Sequence, residues 1–95
     1  MNNIITPKKL EKYFSITKEA LEEAGKALDS ERKAVAEDFL DMASRYFQDA
    51  GHFKKQGEIV TAFAALNYAH GWLDAGARIG LFKVNDNRLF TVDGE

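Results

Sequence analysis

Residues 59–82 read IVTAFAALNYAHGWLDAGARIGLF, and no Lys, Arg, Asp or Glu occurs in this stretch before Asp74. At about 100° per residue, Ile59, Ala62, Phe63, Leu66, Ala69, Leu73 and Ala77 fall on one face. Ala64, Ala65, Tyr68, Trp72, Ala75 and Ile79 make up much of the rest. A helix that is apolar nearly all round is covered by other elements, either inside its own bundle or at an interface. A helix over about residues 58–79 is therefore the expected centre of the fold. Gly71, Gly76 and Gly80 along it would let another backbone come close.

Upstream, Gly57 supplies a left-handed residue that ends a preceding helix, after Lys54 and Lys55, whose charges suit a C-terminal turn. That helix is expected over about 31–56, with a stripe of Val35, Phe39, Met42, Ala43, Tyr46, Ala50 and Phe53, and Leu40 and Phe47 on its flank. Asp29 and Ser30 are both capping residues and mark a short break. Before them, Thr6-Pro7 opens a first helix over about 7–28, because Thr caps free N–H groups and Pro at the first position loses no hydrogen bond. Its stripe is Leu10, Tyr13, Phe14, Thr17, Leu21, Ala24 and Leu28. Downstream, Asn85, Asp86 and Asn87 signal a turn between short apolar segments. An extended or hairpin-like arm over 81–95 is expected, anchored by Leu81, Phe82, Leu89 and Phe90 on the bundle or on a partner subunit. Short joints make successive helices antiparallel, so the fold class read here is all-α, an up-down-up three-helix bundle.

The chain has 95 residues, 45% of them apolar and 29% charged, which suits one small domain. Stripes left over after packing would point to an oligomer. A net charge of −2 gives no overall footprint for nucleic acid or an anionic membrane. The absence of cysteine excludes disulfides and thiolate metal sites. The opening MNNIITPKKLEKYF lacks the apolar core of a signal peptide, and the one long uncharged run is broken by Asn67, His70 and small residues. The expectation is a cytoplasmic protein without cofactor or metal.

Chemistry would have to rest on one margin of the central helix, where Asn67, His70, Asp74 and Arg78 align. Asp74 stands four residues from both His70 and Arg78, so its carboxylate could orient the imidazole or pair with the guanidinium. Asp49, beside the stripe of the second helix, could face the same margin across an antiparallel joint. The functional reading is a polar pocket in which His70 is an acid, base or ligand; the competing one is a satisfied histidine and a structural ion pair at a bundle edge. Tyr68 and Trp72 form an i, i+4 aromatic pair whose default is core packing, with a dimer or partner surface as the competing reading and a ligand-stacking platform as the minor one; with Ile79, Phe82 and Phe90 they are the candidate interface residues. Arg45 and His52 match the loose Arg-x6-His spacing of helical ribonucleases of the HEPN type. The default for both is solvation, and RNA binding through them with Lys54 and Lys55 is disfavoured by the overall charge.

A more extended pattern runs through Tyr46, Asp49, Ala50, Phe53, Gly57 and Glu58, and then Tyr68, Ala69, Gly71, Leu73, Asp74, Ala75, Gly76, Arg78 and Gly80. It resembles the archaeal family catalogued as domain of unknown function 357 (DUF357), with Glu58 where an aspartate is more usual. The resemblance covers about the C-terminal half. It implies a three-helix bundle and a cytosolic protein, and carries no activity with it. The function expected from the residues is a non-catalytic interaction or scaffold module that self-associates or binds a protein partner. The alternative is a ligand-binding protein or enzyme with a pocket between the second and third helices around His70, Asp74 and Arg78.

Overall fold

A computed structural model of the chain describes residues 5–90. Three helices carry the fold: α1 (Pro7–Gly25), α2 (Lys33–Lys55) and α3 (Ile59–Arg78), with a 3-10 turn at Ser30–Arg32 leading into α2. The Thr6 hydroxyl accepts the Lys9 N–H at 3.1 Å, and Pro7 occupies the first helical position. Between α2 and α3, Gly57 adopts φ +79°. The Glu58 N–H then reaches back to the Phe53 carbonyl (2.9 Å) and the Gly57 N–H to that of Lys54 (3.0 Å). This is the paired hydrogen bonding that closes a helix through a left-handed residue. Gly80, also at φ +79°, ends α3 in the same way, with the Leu81 N–H on the Gly76 carbonyl at 2.8 Å.

Ring contacts fix the helix directions. Phe39 meets Trp72 and Tyr46 meets Tyr68, so α2 and α3 run antiparallel. Phe14 meets Phe47 while Gly25 lies beside Leu40, so α1 and α2 are antiparallel too. The up-down-up arrangement follows.

The first helix stops at Gly25 rather than near Leu28. Residues after it are claimed by the C-terminal arm: Leu28 and Phe82 form an antiparallel bridge, the Asp29 N–H donates to the Leu81 carbonyl (2.8 Å), and the Lys83 N–H donates to the Ala27 carbonyl (2.7 Å). The extended part of the arm thus pairs with the linker between α1 and α2, not with itself. The expected turn forms at Asp86, whose carbonyl accepts from Leu89 and Phe90 and whose side chain accepts the Arg88 N–H at 2.9 Å. The arm's extension over 91–95 lies outside the described residues.

Leu81, Phe82, Leu89 and Phe90 are each 2% exposed or less and join Ala20, Ala24, Ala36, Ala43, Leu73 and Ala77 in one core cluster. A second cluster, around Leu10, Ala50, Ala62, Ala65 and Leu66, fills the other end. On α2 the buried residues are Ala36, Ala43 and Ala50, spaced at sevens, while Val35 is 48% exposed. The buried line of α2 is therefore rotated from the bulky stripe toward its alanines: Ala36 and Ala43 share a core cluster with Leu73 and Ala77 of α3, and Ala50 shares the other with Ala62, Ala65 and Leu66. The molecule is flattened, 41 × 27 × 15 Å across its Cα atoms.

Candidate interaction face and polar cleft

The second face of α3 is covered only in part: Ala65 is buried in the core and Trp72 is half-buried, while the rest stands open. Tyr68 is 63% exposed, Val60 72% and Ile79 52%, and Ala64, Asn67, Gly71 and Ala75 beside them are exposed too. Along this outer face no position from Val60 to Ala75 carries a charge. The hollows on it are lined by α2 and α3 alone: one of about 390 Å³ by Phe39, Asn67, Tyr68, Gly71, Trp72 and Ala75, and another of about 300 Å³ by Tyr46, Asp49, Phe53, Thr61, Ala64, Ala65 and Tyr68. The Tyr68 ring stands between the two, stacked on Tyr46 with centroids 5.2 Å apart. Trp72 is half-buried, its ring edge-on to Phe39 at 5.0 Å.

The candidate interface therefore divides. Tyr68, Ile79 and the outer edge of Trp72 face solvent. Phe82 and Phe90 are core residues of their own chain, because the arm folds back over the end of α1.

The polar margin also divides. Asn67, His70 and Asp74 line a cleft of about 250 Å³ with Tyr13 and Ile16 of α1 and residues 87–90 of the arm. The cleft lies between α1, α3 and the arm, not between α2 and α3 as the sequence reading supposed. Asp49 lies on the α2 side, on the outer face, and Arg78 is exposed beyond the cleft. Half-burial pushes the His70 imidazole below its ordinary 6.5, and the Asp74 carboxylate partly opposes this. Arg88 of the cleft wall is held by Glu19 through two hydrogen bonds, at 3.1 and 2.7 Å, and this hydrogen bonding keeps the Glu19 carboxyl below its usual value. Among the described residues no group of three or more His, Cys, Asp or Glu could hold a metal ion.

The Arg45 and His52 pair resolves into surface residues. Arg45 is bound by Asp41 at 2.9 Å, and His52 is exposed. Lys54 lies over the Phe14 ring, 5.1 Å from its centroid. Among the described residues no helix is long and apolar enough to cross a membrane.

Sequence reasoning missed the α1 and arm residues that wall the cleft, Tyr13, Ile16, Asn87 and Arg88. Helical periodicity places residues around one helix but does not say which neighbour they meet. The Glu19–Arg88 pair, 69 residues apart, has no local signal.

The family model described as protein of unknown function DUF357 matches residues 12–82. No curated protein and no solved structure matches.

Proposed function

The chain belongs to the DUF357 family, and from that premise we propose that it is a non-catalytic interaction module whose docking surface is the outer face of α3. One observation carries this reading: a face uncharged from Val60 through Tyr68 to Ala75 stands in solvent although the helix has a complete core face of its own. Isolated exposed apolar residues are ordinary, but a contiguous apolar strip flanked by hollows is the surface pattern of an association site. Tyr68 is suited to anchor such contact, being large, stiff and already supported by Tyr46. The arm supports the reading in a different way: by filling the core with Phe82 and Phe90, it leaves α3 rather than itself as the unpartnered element.

The test is a photo-crosslinking residue placed at Ala64 in cells that make the protein, with Ser15, exposed on α1, as the control position. Adducts from position 64 and few from position 15 are expected. No adduct from 64, or equal yields from both, would overturn the reading.

A second reading, a small-molecule site in the polar cleft, is favoured by the convergence of Asn67, His70 and Arg88 on a recess of about 250 Å³. Nuclear magnetic resonance of the His70 ring against a library of small polar fragments tests it. A ring signal that moves with one fragment supports the site, and one unmoved by all of them removes it.

A further inference from the structure

We infer that the occupant of the outer face is a second copy of this chain, with the two α3 helices packed antiparallel about a two-fold axis between Ala69 and His70. The inference rests on the reading of this face as a docking surface, and goes beyond it by naming the partner and the register.

The register follows from what the face presents. An axis at this level sets Val60 against the partner's Ile79, Ala64 against the partner's Ala75, and Tyr68 against the partner's Gly71. The bulky Tyr68 then meets bare backbone, the alanines let the helices come close, the branched Val60 and Ile79 meet at the ends, and the same surface serves both copies, as a closed two-fold pair requires. Gly71 is the telling position. It weakens the middle of a helix, and nothing in its own chain comes within 4 Å of where a Cβ would stand. The partner's Tyr68 supplies a reason for a bare backbone there. Parallel packing would instead set Tyr68 on Tyr68 and Arg78 on Arg78.

Charge agrees with the antiparallel choice. Arg78, exposed at the C-terminal end of α3, comes level with the partner's Thr61. Thr61 lies in the same hollow as the exposed Asp49, and Glu58 precedes it by three residues. Each guanidinium therefore faces a carboxylate pair, once at each end of the interface, and the two helix dipoles oppose.

Sedimentation equilibrium of the whole chain from micromolar to millimolar concentration is expected to show a reversible dimer. Arg78→Glu should weaken it by roughly tenfold or more, and adding Asp49→Lys and Glu58→Lys to that variant should restore it. The chain has no native cysteine, so Ala64→Cys and Ala75→Cys variants can be mixed and oxidised. The mixture should form a disulfide between the two variants, and Ala64→Cys alone should not couple to itself. Self-coupling of Ala64→Cys, or a wild-type monomer at every concentration, would overturn the inference. A monomer that still gives adducts from position 64 to another protein in cells leaves the docking reading standing; a monomer without them removes both.

Discussion

Phe82 packs directly on the backbone of Gly76: a Cβ built on that glycine would come within 2.7 Å of the ring Cδ2. The same glycine's carbonyl accepts the N–H groups of Leu81 and Phe82 at 2.8 and 3.3 Å, so α3 and the arm are joined at one residue. This contact converts the arm from an appendage into part of the core. It buries Phe82 in the core, while Tyr68 and Gly71 on α3 remain exposed.

Gly76→Ala forces the buried Phe82 ring to move. Overpacking of this kind costs about 1–3 kcal/mol, against a gain of at most about 1 kcal/mol in helix propensity. The melting temperature should fall, and a rise would contradict the packing described.

Gly71→Ala is the counterpart, because a methyl group there meets nothing in its own chain. At concentrations where the chain is monomeric it should stabilise by up to about 1 kcal/mol, or roughly 4–8 °C in Tm. Gly51→Ala, also in open helical surroundings but turned away from Tyr46 and Phe53, should stabilise without altering association.

Thr17 is buried in α1, and its hydroxyl makes no hydrogen bond. A buried group without a partner keeps its desolvation cost, so Thr17→Val should stabilise the fold by roughly 1 kcal/mol in denaturant unfolding. Loss of stability would mean that the hydroxyl is satisfied.

Acid should destabilise the fold in two separate windows. Half-burial lowers the His70 value below its unfolded 6.5, so between the two values the unfolded chain binds more protons and stability falls as pH drops through them. His70→Gln should remove this first loss. Glu19 and Asp29 are held below their ordinary 4.5 and 3.8, mainly by hydrogen bonds from Arg88 and Arg32. Their contribution is present above those values and is lost as pH falls through the lower folded ones. Arg88→Met should shrink only this second loss.

Much of the fold was legible in the sequence. Thr6-Pro7 and Gly57 mark real helix ends, Asp29 stands at the break, and the first face read for α3 is its buried face, whereas Gly80, read as a site of close approach, is the left-handed end of α3. The rotation of α2 was less legible. A wheel weighted by bulky side chains points at Val35 and Phe39, but helices that pack through alanine approach closely, so Ala36, Ala43 and Ala50 take the centre and the larger residues flank it. Burial of Ala20 was missed for the same reason. Of the polar margin, Asn67, His70 and Asp74 stay together because they share one helix face, whereas Asp49 and Arg78 depend on inter-helix rotation that short-range spacing does not encode. Near-complete apolarity of α3 suggested an interior or an interface helix, and the exposure of Tyr68 is what favours the second.

Occupation of that face by another copy is tested most directly by sedimentation equilibrium of the wild type beside Ala64→Glu, with far-UV circular dichroism to show that both are folded. A charge at this exposed position should leave the isolated chain's stability within about 0.5 kcal/mol. The expected result is a concentration-dependent dimer for the wild type and a folded monomer for the variant. Equal masses for both at every concentration would contradict the dimer.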